Sequence, residues 1–124
     1  MLTKSKAFSG FSVDDLQKAK AFYQEILGLH VADTPMGIME IHPEGGNKII
    51  VYPKPDHVPA TFTVLNFPVT NIEETVDELS GKGVSFEQYG GQIQTDEKGI
   101  CRNGGISIAW FKDPAGNILS LIED

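Results

Sequence analysis

Histidine, cysteine and carboxylate side chains are the residues of this chain that could do chemistry, and they are thinly spread. The histidines are His30, His42 and His57, and Cys101 is the only cysteine. The spacing of the histidines matches no familiar metal-binding pattern, so we interpret each as a surface or turn residue. Glu40 lies two residues before His42 and shares its strand face, which leaves open a metal site at that position.

Cys101 lies in a polar, glycine-rich stretch with no histidine close in sequence. A free cysteine is either a nucleophile or a small buried apolar residue, and the absent base favours the second interpretation. A single cysteine also excludes an internal disulfide and a Cys-rich zinc site. Asp14 and Asp15 resemble a carboxylate pair, but we predict that Asp14 is a helix N-cap and that Asp15 is a first-turn charge.

Composition narrows the class of protein. The chain has 124 residues, enough for one domain, with 40% hydrophobic and 22% charged residues. Its net charge is −7 and Arg102 is its only arginine, so we expect no binding to nucleic acid. No stretch approaches the ~20 apolar residues of a spanning helix. The first residues carry no long apolar run typical of a signal peptide, and we expect a cytoplasmic protein without membrane contact.

The elements that must position these residues occur twice. Residues 108–122 (IAWFKDPAGNILSLI) predict a hairpin around an Asp-Pro-Ala-Gly-Asn turn. Residues 38–52 repeat its Gly-Asn pair 70 positions earlier and carry a proline within one residue of the matching position. An amphipathic helix is predicted after each of two strands, at 14–27 and at 72–79, and a strand is expected to follow each helix, at 29–32 and at 84–86. Gly28 is expected to end the first helix in the left-handed conformation, and Thr70 or Asn71 to cap the second. Val13 and Val69 end those strands, 56 residues apart, whereas the hairpins are 70 apart. The second copy therefore holds about fourteen extra residues, which we place between Glu87 and Gly105.

Each copy thus has the order strand, helix, three strands, or βαβββ. Module 1 is expected at about residues 5–53 and module 2 at about 61–124 of a single domain. Three prolines within residues 53–60 make the connector stiff. The predicted fold is α+β, with the two modules pairing into an open, strongly curved mixed β-sheet, or half-barrel, and helices outside. A ferredoxin-like α+β sandwich is the best alternative.

The order of elements, the opening FSVDDLQKAKAFYQEILGL and the ending FKDPAGNILSLIE resemble the vicinal oxygen chelate superfamily. That superfamily includes glyoxalase I, bleomycin-resistance proteins, fosfomycin-resistance enzymes and extradiol dioxygenases. The resemblance implies a divalent metal in a concavity shared by the modules, held by His, Gln or Glu. The matching positions here are Phe8, Ile50, Val64 and Ser120. Three have no lone pair to offer and a neutral serine is a poor ligand, so we predict no metal and no cofactor.

The same positions suggest a groove for a small molecule. We predict apolar walls, polar fixtures and, in the loop 87–105, a lid whose arginine reaches a ligand's carboxylate or phosphate. The predicted ligand-binding residues are Phe8, Ser12, Ile50, Tyr52, Val64, Asn66, Arg102, Trp110 and Ser120. Core packing of Trp110 and a solvated surface loop remain alternatives.

The leading hypothesis is therefore a metal-independent protein that binds or sequesters a hydrophobic or aromatic small molecule. We expect a homodimer, because an open sheet leaves edges and apolar surface to cover. The alternatives are an enzyme of the superfamily, with lyase, isomerase or dioxygenase-like activity and a displaced metal site or none, and a structural dimer with a vestigial groove.

Overall fold

A computed structural model describes all 124 residues, which form two compact units, Met1–Pro59 and Ala60–Asp124. Each unit has one strand, one helix and three further strands, so the predicted α+β fold with two βαβββ modules is confirmed. In both units the first strand pairs in parallel with the fourth, and the other pairings are antiparallel.

The first unit contains β1 (Ser9–Val13), α1 (Leu16–Ala21), β2 (His30–Asp33), β3 (Met39–His42) and β4 (Ile49–Pro53), with the sheet order β1-β4-β3-β2. The helix N-cap is Asp15, whose carboxylate accepts from the Lys18 backbone N–H at 3.1 Å, so the prediction of Asp14 is wrong by one residue. The predicted continuous helix instead changes to a π-helical turn at Phe22–Ile26. Gly28 then ends it with φ of 72°, as predicted.

The second unit contains β5 (Thr63–Pro68), α2 (Ile72–Gly81), a 3₁₀ turn (Gly91–Ile93), β6 (Ile100–Asn103), β7 (Ile106–Lys112) and β8 (Ile118–Glu123), with the sheet order β5-β8-β7-β6. Asn71 caps α2 by accepting from the Glu74 N–H at 3.1 Å. The Glu123 carboxylate accepts from the Ile72 N–H at 2.7 Å, which ties the end of the chain to the start of that helix.

The extra residues lie mostly within the predicted range Glu87–Gly105, but that range also contains a strand of the module. A strand was expected at residues 84–86, but there only Phe86 forms an isolated bridge, with Phe111. The second strand of this module is β6, which lies inside the expected insertion. It begins at Ile100, 70 residues after His30, so β2 and β6 share the offset of the hairpins and the insertion spans about residues 84–99. Gly104 and Gly105 form the β6–β7 turn, with φ of 61° and 86°.

The β7–β8 turn has the predicted chemistry. The Asp113 carboxylate Oδ1 accepts from the Ala115 and Asn117 N–H groups, each at 2.9 Å, and Oδ2 accepts from Asn117 Nδ2 at 3.1 Å. Gly116 takes φ of 87°. Asp113 and Asn117 are both buried, so this turn is a fixed part of the second unit and sets the register of the strands on either side.

No helix in the chain combines the length and the apolar character needed to span a bilayer.

Candidate functional site

Each sheet has one face toward its helix and one face away from it, and the second is the candidate surface. In the first unit Phe11 marks the helix side, because its ring lies 6.0 Å from the ring of Tyr23, just after α1. Side chains alternate along a strand. Ser12, which pairs with Tyr52, therefore lies on the opposite face. We call this the first-unit face.

Ile50 and Phe8 form the apolar part of the first-unit face. Ile50 lies over Gly10, and a Cβ added at Gly10 would come within 2.6 Å of Ile50 Cγ1. The close contact explains why this strand position carries glycine. Phe8 precedes β1 and is half exposed, with the Lys48 ammonium 4.7 Å from its ring centroid. Predicted site residues Ser12, Ile50 and Tyr52 thus lie on two paired strands, and Phe8 immediately precedes one of them.

Ionisable side chains occupy the other end of the first-unit face. Glu40 pairs with Ile50 across the sheet, and its carboxylate lies 2.9 Å from His42 Nε2 and 3.6 Å from Lys48 Nζ. The rings of His30 and His42 are 5.8 Å apart. Although Glu40 and His42 meet as their spacing suggested, no group of three or more His, Cys, Asp or Glu side chains is arranged to hold a metal ion.

His57 belongs to this surface as well. Its Nδ1 lies 2.7 Å from the Ser12 hydroxyl oxygen. The sequence alone predicts only that His57 is a residue of the connector, because no local pattern links it to a strand 45 positions earlier. The one available signal was the stiffness of the proline-rich segment, which limits where the imidazole can lie.

In the second unit three predicted residues come together on the face opposite α2. Asn66 pairs with Ser120 in the parallel strands, and Ser120 pairs with Trp110 in the antiparallel pair. The buried Ser120 hydroxyl donates to Asn66 Oδ1. We call this the second-unit face. Ile108 pairs with Ile122 next to it, so the polar pair has an apolar border.

Trp110 is covered from one side by a residue that the sequence analysis did not select. Tyr89, in the insertion, packs edge-on against the indole with ring centroids 5.4 Å apart. The insertion is anchored near this point, because Thr95 Oγ1 accepts from the Tyr89 N–H at 2.9 Å and the Thr95 N–H donates to the Tyr89 carbonyl at 2.9 Å. The loop 87–105 therefore contacts Trp110 through the ring of Tyr89.

Arg102 and Val64 lie apart from this cluster. Arg102 is in β6, paired with Ser107, and its guanidinium contacts Asp96 and, at 3.6 Å, Glu73 of α2. It therefore points to the helix side of the sheet. Val64 lies where the β5–β8 register shifts, as the extra residue of a β-bulge between Thr63 and Leu65.

Asp96, whose carboxylate contacts Arg102, organises the end of the insertion. Burial acts to raise the pKa of Asp96, but hydrogen bonds from the Ile100 N–H, the Arg102 guanidinium and the Lys98 N–H together hold that pKa below its ordinary value. Gly99, in this turn, has φ of 85°, and an added Cβ would lie 2.7 Å from Phe86 Cβ. The segment before β6 is thus tightly packed.

The side chains at the superfamily's four metal-ligand positions do not fit a divalent cation. Phe8, Ile50 and Val64 offer only hydrocarbon, and the hydroxyl of Ser120 already donates to Asn66. None of these four side chains, each taken by itself, offers the charged or strong neutral donor that would replace the hydration of a cation.

Two βαβββ units, each with a four-stranded mixed sheet, define the class as an α+β protein built from a duplicated module. The model of the Glyoxalase/Bleomycin resistance protein/Dioxygenase superfamily matches residues 8–121, and the chain belongs to that superfamily.

Solved structures agree on the fold. A glyoxalase family protein from Bacillus anthracis is 19% identical with a TM-score of 0.75, covering 98% of this chain and 95% of its own. TnmS3, an antibiotic binding protein from Streptomyces sp. CB03234, is 22% identical with a TM-score of 0.72, covering 98% of each chain. A member of the same superfamily from Sphaerobacter thermophilus is 22% identical with a TM-score of 0.72 over 100% of both chains. A search of curated proteins finds no match.

Proposed function

We propose that this protein binds a small hydrophobic or aromatic molecule, without a metal ion, on the second-unit face. The observation that carries the proposal is the grouping of Trp110, Asn66 and Ser120 on neighbouring strands, with Tyr89 against the indole. An indole wall suits a planar guest, and a fixed polar pair can orient it. The likeness to an antibiotic binding protein supports the same class of function.

The polar pair suggests which hydrogen bonds a guest would make. The buried Ser120 hydroxyl donates to Asn66 Oδ1 and so orients the exposed Asn66 side chain. The amide nitrogen of Asn66 is a donor. A guest with an acceptor on an aromatic frame would complement this donor, whereas a saturated hydrocarbon would leave it unmatched.

The experiment uses Trp110 as its own probe, since it is the only tryptophan. Planar aromatic compounds are titrated into the full chain while the indole emission is followed, and each hit is checked by thermal shift. At ~100 times Kd a ligand adds about 2.7 kcal/mol to the free energy of unfolding. Saturable quenching together with a raised melting temperature is expected. A broad screen of such compounds without a single hit would refute the proposal.

Variants locate the site, with affinity measured by calorimetry. Trp110→Ala is expected to weaken binding about 30-fold, as loss of about 2 kcal/mol from a central aromatic contact implies. Trp110→Phe keeps a ring and should lose less. Ser107→Ala is the matched control for Ser120→Ala, because Ser107 lies on the same sheet but on the helix side. Equal loss in both serine variants would place the ligand elsewhere.

We also propose that the protein is a homodimer and that the first-unit face has a ligand-binding role. Sedimentation equilibrium tests the homodimer, with a single species of twice the chain mass expected.

Metal independence is tested by elemental analysis of protein purified without chelators. A stoichiometric transition metal whose removal abolishes ligand binding would favour the enzyme alternative, with the Glu40–His42 pair as the first place to look.

A further inference from the structure

The Ser12–His57 pair on the first-unit face joins a hydroxyl and an imidazole at 2.7 Å, from residues 45 positions apart. Both side chains are half-buried, so a small molecule can reach them. A serine hydroxyl is a weak nucleophile alone and becomes a useful one when a base within hydrogen-bond distance takes its proton. The distance between Oγ and Nδ1 meets that requirement.

Backbone hydrogen bonds hold the imidazole in place. The Lys54 N–H donates to the Val13 carbonyl at 2.9 Å, which attaches the start of the connector to the end of β1. The His57 N–H donates to the Lys54 carbonyl at 3.0 Å, closing a turn that returns the imidazole to β1. The Lys54 ammonium also lies 2.9 Å from the Asp56 carboxylate within this turn. Such preorganisation is what a nucleophile–base pair needs.

We propose that Ser12 and His57 form a nucleophile–base pair that accepts acyl groups from small aryl esters. In the tautomer protonated on Nε2, Nδ1 accepts the Ser12 proton while Oγ attacks the ester carbonyl carbon. The bond from that carbon to the aryl oxygen breaks, and the phenol leaves with the proton from the imidazolium. Water then cleaves the acyl-serine ester and releases a carboxylic acid, so that the free serine is restored.

The surroundings indicate the class of ester. Tyr52 is paired with Ser12 on the same face and is 37% exposed, which places an aromatic ring beside the hydroxyl. Ile50 adds apolar surface two residues away on the same strand. An aryl leaving group would pack there, whereas a charged ester would not. The Glu40–His42 pair on the same face contains no hydroxyl or thiol and offers no comparable nucleophile.

The test uses the full chain and p-nitrophenyl acetate. Acylation is followed by release of nitrophenolate and by the mass of the intact protein, and peptide mapping finds the acetylated residue. A burst of nitrophenolate with one acetyl group on Ser12 is expected. Ser12→Ala should abolish both signals. Ser9→Ala, an exposed serine of the same strand, is the matched control and should leave them unchanged.

His57→Asn separates catalysis from structure. The amide oxygen of asparagine lies close to the place of Nδ1 and can still accept from the Ser12 hydroxyl, but it is not a base. Acylation should therefore slow by about 10²–10⁴-fold while the circular dichroism spectrum stays the same. Acetylation of lysines alone, or wild-type acylation of the asparagine variant, would overturn the proposal.

This inference goes beyond the ligand-binding proposal and does not depend on it. The Trp110 titration reports on the second-unit face, whereas acetylation reports on Ser12. A protein that binds aromatic compounds but is never acetylated would overturn only the nucleophile–base pair, and the reverse result would overturn only the aromatic site.

Discussion

Replacing Asp113 should weaken the second unit more than any other single change in the turn that joins β7 to β8. Its carboxylate accepts from the N–H of Ala115 and from both the N–H and the Nδ2 of Asn117. Asn117 is only 2% exposed, so two of these donors cannot turn to water after Asp113→Ala. Each buried donor that loses its hydrogen bond to the carboxylate costs about 1–3 kcal/mol, and the two donors of Asn117 together predict a loss of about 4 kcal/mol. Ala115 is half-buried, and water can replace its lost bond at little cost.

Asp113→Asn provides an internal scale for the argument. The amide oxygen can still accept from the two backbone N–H groups, but its nitrogen then faces the Nδ2 of Asn117. The variant loses one hydrogen bond instead of three, and the expected cost is about 1–2 kcal/mol. The ratio between the two variants therefore tests whether the burial of Asn117, and not the loss of charge alone, determines the effect.

Urea unfolding followed by Trp110 fluorescence is the appropriate assay, because Trp110 lies in β7, three residues before Asp113. With a slope of about 2 kcal/mol per M, the alanine variant should lower the midpoint by about 2 M. Asp124→Ala, at the exposed end of the chain, is the control and should stay within about 0.5 kcal/mol of the parent. Equal midpoints for the alanine and asparagine variants would refute the reasoning.

Three further changes test the packing around the two faces. The pKa of Asp96 is lowered in the folded chain, so its stabilising contribution is present above its unfolded pKa and is lost as the pH falls through the folded one. In Asp96→Asn the free energy of unfolding should therefore depend less steeply on pH below about 4. An unchanged pH dependence would contradict the lowered pKa of Asp96. In Gly99→Ala the new Cβ would lie 2.7 Å from Phe86 Cβ, at a position with φ of 85°. We expect the free energy of unfolding, measured with urea, to fall by more than about 2 kcal/mol. An unchanged free energy would be inconsistent with this packing. Gly10→Ala should lower the free energy of unfolding by about 1–3 kcal/mol, because the new methyl group forces Ile50 aside. The double variant Gly10→Ala/Ile50→Ala should lose less than the sum of the two single variants, which a double-mutant cycle measures.

Much of the architecture could be predicted from local patterns. The cap of α2, predicted at Thr70 or Asn71 and found at Asn71, rests on chemistry within a few residues, as do the left-handed Gly28 and the Asp113 turn, which agree with the structure. The omission of β6 has a local explanation as well. Asn103 followed by two glycines is a strong hairpin signal. Assigning these residues to a long loop leaves β6 unpredicted.

The sequence by itself determined the duplicated βαβββ order, and with it the membership of a superfamily, because periodicity and turn chemistry are properties of short segments. It also places Phe8, Ile50, Val64 and Ser120 at the positions that the resemblance matches to metal ligands. Only the tertiary structure decided which side chains meet. The pairing of Ser12 with His57 and of Tyr89 with Trp110 follows from how a connector and an insertion return to a sheet, and no local pattern encodes that. The same holds for Arg102, whose strand face, and hence its ion pairs with Asp96 and Glu73, was fixed by the register of β6 against β7.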